Sequence, residues 1–158
     1  MKMKKINYLI LLVVVLVGIS CEPTYTKTYS WAYPVAGDWK VKVYINGVED
    51  SGPYEIKSYN TAKGKDSIWI DDYNGNFYQF QFKVAVNMAT KTFTNGTDTV
   101  INAIPDYGIG VKVTNGKIIG NDSIYFEVQF ADDTTPYGTT YQLAGHREVS
   151  YEDYITKP

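Results

Sequence analysis

Hydrophobic and polar side chains alternate with a period of two along most of this chain. Successive side chains of a β-strand point to opposite faces, so this period predicts strands that are buried on one face. The pattern is clearest in four segments, Trp39–Ile45, Tyr78–Val86, Ile124–Phe130 and Tyr141–Arg147. Shorter strands fit Tyr54–Tyr59, Ser67–Asp71, Lys91–Thr94 and Gly110–Thr114, the last with a continuation through Lys117–Ile119.

Four Asn-Gly pairs separate these segments, at Asn46-Gly47, Asn74-Gly75, Asn95-Gly96 and Asn115-Gly116. This dipeptide accepts positive φ at both positions and is a strong hairpin signal. With no helical periodicity, the chain is predicted to be all-β, with about eight antiparallel strands. Closing them into an up-and-down barrel removes the exposed edges, and a two-sheet sandwich is the alternative. The long apolar connection Thr97–Gly110 is either a binding loop or a plug at one barrel end.

The first twenty residues read as a secretory signal. Lys2, Lys4 and Lys5 precede an apolar run that ends at Ile19 and is short for a bilayer span. Ser20 and the lone Cys21 then resemble a bacterial lipobox, which implies that Cys21 is lipidated; a plain signal peptide is the alternative. We expect residues 1–20 to be the lipoprotein signal peptide, 21–36 a lipidated tether and 37–158 a single barrel domain.

Composition narrows the classes of partner. With 44% hydrophobic residues the chain can bury a core, and its single cysteine excludes a disulfide scaffold. Removal of the signal takes three lysines with it and lowers the net charge from −2 to −5. This acidic charge and the single arginine of the chain argue against nucleic acid as the partner. One histidine and one cysteine make a metal site implausible, and we expect no cofactor. The expected location is the cell envelope, as an outer-membrane lipoprotein facing the periplasm, because no acidic cluster follows Cys21.

Gly37-Asp38-Trp39 opens the first long strand and Arg147 ends the last one. This arrangement resembles the lipocalin and wider calycin pattern, in which the tryptophan closes one barrel end and the arginine packs across it. Together with the lipobox and the stretch Leu143-Ala144-Gly145-His146-Arg147, it also resembles the small Bacteroidetes lipoproteins grouped as lipid-binding putative hydrolases. The resemblance implies a calycin-like barrel, closure by Gly37, Trp39 and Arg147, and a lipid ligand.

The leading functional hypothesis is therefore a membrane-anchored barrel that binds a small apolar or lipid-like molecule. Its candidate ligand-binding residues are Tyr78, Phe80, Phe82, Phe126, Phe130, Tyr141 and Leu143, all on the inward phase. The alternative is a structural or accessory envelope lipoprotein that acts through surface contacts with glycans or with a protein partner of unknown kind. A hydrolase is the second alternative, but the only histidine, His146, is expected to face outward and no Gly-x-Ser-x-Gly motif occurs, so no catalytic residue is assigned.

Four Asp-Ser/Thr pairs resemble the O-glycosylation acceptor of exported Bacteroidetes proteins. The acceptors would be Ser67, Thr99, Ser123 and Thr134. Turn chemistry is the competing interpretation, because aspartate closes turns and a following hydroxyl residue can begin the next strand.

Overall fold

The computed structural model describes residue 26 and residues 28–73, 75 and 77–149. The predicted signal peptide, the predicted lipobox and Cys21 lie outside these residues. The described residues form nine strands, β1 (Gly37–Ile45), β2 (Val48–Asn60), β3 (Ser67–Asp71), β4 (Gln81–Asn87), β5 (Thr92–Thr94), β6 (Val100–Ile101), β7 (Gly110–Ile119), β8 (Ser123–Phe130) and β9 (Tyr141–Arg147).

Eight of these strands form a closed antiparallel up-and-down barrel, which confirms the predicted fold. Consecutive strands pair from β1 to β5, β5 pairs with β7, and β9 returns to pair with β1. The ninth strand, β6, is an addition that pairs with the start of β7 and lies inside the predicted connection Thr97–Gly110. None of the described residues belongs to a helix that is long and apolar enough to cross a membrane.

The Asn-Gly pairs do not all form hairpins. Asn46 and Gly47 have φ of 52° and 78° and make the tight β1–β2 turn. Asn115 also has positive φ, but it lies inside β7, where the register with β8 shifts between Thr114 and Lys117. A Cβ atom at Gly116 would overlap the ring of Phe93. Here the dipeptide therefore makes a bulge that bends β7 toward the barrel seam.

Strand β4 begins three residues later than the alternation predicts. Gln79 has φ of 51°, and its backbone N–H donates to the buried carboxylate of Asp72 at 2.9 Å. Asn102 bridges the break, since its side chain donates to the Gln79 carbonyl at 2.8 Å and accepts from the Gln81 N–H at 2.7 Å. Tyr78 and Phe80 therefore lie on a loop, although Phe80 is fully buried.

The two barrel ends are covered differently. At the end where β1 begins, which we call the closed end, residues 31–35 form turns, and Ala32 and Val35 are fully buried. Part of the expected tether 21–36 thus packs onto the barrel. At the opposite end, which we call the mouth, lie Ile45, Gln81, Gly110, Phe130 and Tyr141. Apart from the tight turn after Ile45, the connections at this end are the longer ones, residues 72–80, 102–109 and 131–140.

Candidate functional site

The closed end is organised around Trp39. Its ring N–H donates to the Ser58 hydroxyl at 2.8 Å, and that hydroxyl donates to the Val35 carbonyl at 2.6 Å. The guanidinium of Arg147 lies 4.3 Å from the ring centroid and donates to the carbonyls of Ala36 and Asn121. Burial lowers the pKa of Arg147. This end is sealed by side chains and leaves no place for a ligand against Trp39, which has 0% exposure.

The predicted ligand-binding residues divide into two groups. Five of them have 0% exposure and pack into one core, namely Phe80, Phe82, Phe126, Phe130 and Leu143. The rings of Phe80 and Phe82 are 5.2 Å apart, and those of Phe80 and Phe126 are 6.5 Å apart. The barrel interior around these residues is therefore filled by its own side chains. Tyr78 and Tyr141 are half-buried at the mouth.

Tyr78 and Tyr141 converge on one carboxylate at the mouth. Their hydroxyls donate to Oδ1 of Asp133 at 2.7 and 2.9 Å, whereas its Oδ2 is buried without a partner among the described residues. Burial and the hydrogen bond to Asp133 raise the pKa of Tyr78. The Tyr78 ring also stacks on Phe130 at 3.9 Å. The mouth is thus closed by an aromatic cluster that comprises Tyr54, Phe77, Tyr78, Phe130 and Tyr141.

A preformed cleft of about 700 Å³ lies instead on the outer face of β1 and β9. Its shape follows from three cross-strand rows of outward side chains. One row is Lys40–His146–Ser123, the next is Lys42–Ala144–Tyr125, and the third is Tyr44–Gln142–Glu127. Because Ala144 has the smallest side chain of these nine and lies at the centre of the middle row, it leaves a depression between the outer two rows. We call this depression the β1–β9 cleft, and its lining is Lys40, Lys42, Tyr44, Pro53, Ser123, Ala144, Gly145, His146, Arg147 and Glu148.

The lining of the β1–β9 cleft is largely apolar with a cationic rim. Tyr44, Pro53, Ala144 and the methylene stems of the lysines supply the apolar surface. Lys42 is paired with Glu49 at 2.9 Å, and this hydrogen bond raises the pKa of Lys42. By contrast, no described carboxylate lies within salt-bridge distance of Lys40. The cleft therefore combines an apolar floor with a cation that the described residues leave uncompensated.

His146 is exposed on this outer face, and its Nδ1 lies 3.3 Å from the Ser123 hydroxyl. The arrangement is not that of a catalytic triad. In a triad the carboxylate accepts from the second ring nitrogen and fixes the imidazole tautomer. Here the neighbouring carboxylate, Asp122, accepts from the Ser123 hydroxyl itself at 3.1 Å, and no described residue hydrogen-bonds Nε2 of His146.

A second cleft of about 630 Å³ follows the seam between β5 and β7. Its walls are more polar, and its carboxylate is already satisfied. Glu127 accepts from the Tyr125 hydroxyl at 2.7 Å, from the Asn115 amide at 2.7 Å and from the Thr114 hydroxyl at 3.3 Å. Burial alone would raise the pKa of Glu127, but these donors outweigh it and the pKa is lowered. A lipid chain gains little from such a surface, so the β1–β9 cleft is the better lipid site.

The candidate modification sites differ in access. Ser67 is buried and its hydroxyl donates to Asp66 at 3.0 Å, whereas Ser123 is half-buried. Thr99 and Thr134 are exposed in loops. Modification therefore stays a prediction that the structure favours at Thr99 and Thr134. The described residues contain no group of three or more acidic, histidine or cysteine side chains that could hold a metal.

Sequence reasoning located the inward residues but missed the β1–β9 cleft. Alternation identifies Lys40, Lys42 and Tyr44 as outward, yet it cannot show that Ala144 lies between Lys42 and Tyr125. The one available signal was Ala144 itself, a small residue at an outward position of the last strand.

Comparison with known proteins gives one family. A family model described as lipid-binding putative hydrolase matches residues 24–152. No curated protein matches the chain significantly.

Proposed function

The chain belongs to the lipid-binding putative hydrolase family, and from that membership we propose that it holds a lipid-like molecule in the β1–β9 cleft while anchored to a membrane through Cys21. Family and barrel fold support the lipid-binding role itself. The location of the ligand and the anchoring are our proposal.

The observation that carries the proposed site is the preformed cleft beside Ala144. Its volume of about 700 Å³ lies within the range of about 300–1,000 Å³ that is usual for small-molecule sites. Such sites are mostly apolar, with a few polar groups that orient the ligand. Here Ala144, Pro53 and the ring of Tyr44 supply the apolar surface, and the Lys40–His146–Ser123 row supplies the polar groups.

The barrel interior is the less favourable site. A ligand there would have to displace side chains such as Phe82 and Phe126, which have 0% exposure. Losing the packing of a single buried phenylalanine costs about 3–5 kcal/mol. The outer cleft needs no such displacement, because the open space beside Ala144 already exists.

Ala144→Trp tests the proposed site, because an indole at this position fills the depression. Ala85→Trp is the matched control. Ala85 is also a mid-strand alanine with an outward side chain, but it lies on β4, away from the cleft. We expect Ala144→Trp to reduce binding of both oleate and oleyl alcohol at least tenfold, while Ala85→Trp binds as the unmodified protein does.

Both variants should keep the β-sheet circular dichroism spectrum of the parent protein. If Ala144→Trp folds and binds both lipids normally, the β1–β9 cleft is not the site. The accessory role through surface contacts with protein or glycan then becomes the better account.

The proposed anchoring places the barrel close to its membrane. Residues 31–35 form turns at the closed end, where Ala32 and Val35 are fully buried, and this segment begins ten positions after Cys21. Ten residues span at most about 36 Å. The Lys40–His146–Ser123 row lies toward that same end, since Lys40 is near the start of β1 and His146 near the end of β9. We propose the periplasmic side of an outer membrane as the location, with the cleft near the lipid surface.

A further inference from the structure

We propose that the ligand of the β1–β9 cleft is an anionic single-chain amphiphile whose headgroup binds the Lys40–His146–Ser123 row. The inference rests on the proposed lipid site and adds the chemical class of the headgroup. Its chain would lie over Ala144 toward Tyr44 and Pro53.

Cross-strand register builds the headgroup site. Lys40 lies directly opposite His146 in the β1–β9 pair, and His146 lies directly opposite Ser123 in the β8–β9 pair. An ammonium group, an imidazole and a hydroxyl therefore follow one line across three strands. The ammonium has three donors, and Nε2 of His146, to which no described residue hydrogen-bonds, adds a ring nitrogen that can donate to a carboxylate or a phosphate. The Ser123 hydroxyl borders the row and already donates to Asp122.

The charge at this row is favourable for an anion, although the chain as a whole is acidic. Lys40 and Arg147 line this end of the cleft, with Glu148 as the carboxylate of the lining. Arg147 is turned inward onto Trp39, and Glu55 faces Lys40 across the β1–β2 pair without reaching salt-bridge distance. Lys40 is thus the cation that is available to a ligand. This exposed cation beside an apolar floor is suited to an anionic amphiphile, even though the net charge of the whole chain is −2.

Glu49 allows the positive charge of the β1–β9 cleft to be changed without altering Lys40. Both of its carboxylate oxygens accept from Nζ of Lys42 at 2.9 Å, which holds that ammonium group away from other anions. Lys42 lines the middle of the cleft, in the row of Ala144. Removing the carboxylate at position 49 should therefore release a second cation to the ligand.

The experiment compares oleate, 1-oleoyl lysophosphatidic acid and neutral oleyl alcohol by displacement of a fluorescent fatty acid from the purified protein. Lys40→Gln should weaken both anionic lipids about two- to fivefold, the range expected for an exposed ion pair, and leave oleyl alcohol unchanged. Glu49→Gln should strengthen both anions by a similar factor. A preference for one of the two anions distinguishes carboxylate from phosphate. The control is Lys83→Gln, which removes an exposed lysine from β4.

Equal effects of Lys40→Gln on oleate and oleyl alcohol, or no effect on either, would overturn the headgroup assignment. So would a Glu49→Gln variant that binds oleate no better than the parent. If the β1–β9 cleft is not the lipid site at all, Ala144→Trp binds oleyl alcohol normally. If only the headgroup assignment is wrong, Ala144→Trp still loses binding of oleyl alcohol, so the two failures can be told apart.

Discussion

Arg147, at the end of the last strand, holds its guanidinium 4.3 Å from the centroid of the Trp39 ring on the first strand. The two residues are also direct partners in the β1–β9 ladder. This contact joins the first and last strands of the barrel at its closed end. The two side chains should therefore be energetically coupled.

A double-mutant cycle tests that coupling. Trp39→Ala should lower the free energy of unfolding by about 3–5 kcal/mol, as expected for a buried aromatic truncation. Arg147→Ala should cost less, and the two effects should differ from additivity by about 0.5–2 kcal/mol, the energy of a cation–π contact. Urea denaturation measures all four proteins. Strict additivity would mean that the stacking contributes nothing to closure.

Gly145 allows β9 to approach β1 closely. A Cβ atom there would meet the Lys40 carbonyl oxygen and, at 2.6 Å, the Val41 Cα. Gly145→Ala should therefore lower the free energy of unfolding by about 1–3 kcal/mol, the usual cost of overpacking. Gly108→Ala is the control, because its nearest neighbour would be 3.7 Å away. Equal stabilities of the two variants would disprove the close approach.

The mouth cluster should depend on the hydroxyl of Tyr78. Tyr78→Phe keeps the ring on Phe130 but removes the hydrogen bond to Asp133, so it should cost about 1.5–3 kcal/mol, as for a hydrogen bond to a charged group. Tyr54→Phe is the control, because Tyr54 belongs to the same cluster while no described residue hydrogen-bonds its hydroxyl. Thermal and urea unfolding should separate the two variants. Equal stabilities of the two variants would mean that the hydrogen bond from Tyr78 to Asp133 does not stabilise the mouth.

The proposed membrane anchoring depends on the thiol sulfur of Cys21. Cys21→Ser removes the thiol that would carry the lipid, so we expect the protein to leave the membrane fraction or to remain unprocessed. Fractionation of the producing cells followed by immunoblotting measures this. Normal membrane retention of the variant would contradict lipidation.

The Ser123–His146 contact should not be catalytic. Because no described carboxylate orients the imidazole through Nε2, we expect His146→Ala and Ser123→Ala to leave any ester hydrolysis at the level of the parent protein. Hydrolysis of p-nitrophenyl butyrate by extensively purified protein is the measurement. A robust parent activity that both variants lose would make the protein a hydrolase.

The barrel could be predicted from sequence because its strands are long and alternate strictly. Trp39, Val41 and Val43 alternate with lysines, and the structure has them at 0% exposure. The position of Arg147 opposite Trp39 followed from closure of the meander. Local exceptions could not be predicted, because they depend on side chains from distant segments. Asn102 supports the break before β4, for instance, and Phe93 covers Gly116 at the bulge.

The site was harder to predict than the fold. Inward phase alone made Phe82 and Phe126 ligand candidates, yet alternation cannot distinguish a side chain that fills a barrel from one that lines a cavity. The outer cleft depends on the size of Ala144 relative to neighbours on two other strands, which only the register reveals.

The most direct test of the central claim is an amide and methyl NMR titration of the labelled protein with oleate. We predict that the chemical-shift changes concentrate on Lys40, Lys42, Tyr44 and Ala144, with little change at the methyl groups of Leu143 and Val128 inside the barrel. Changes concentrated on those interior methyl groups, with the outer face of β1 and β9 unaffected, would contradict the account and place the lipid within the barrel.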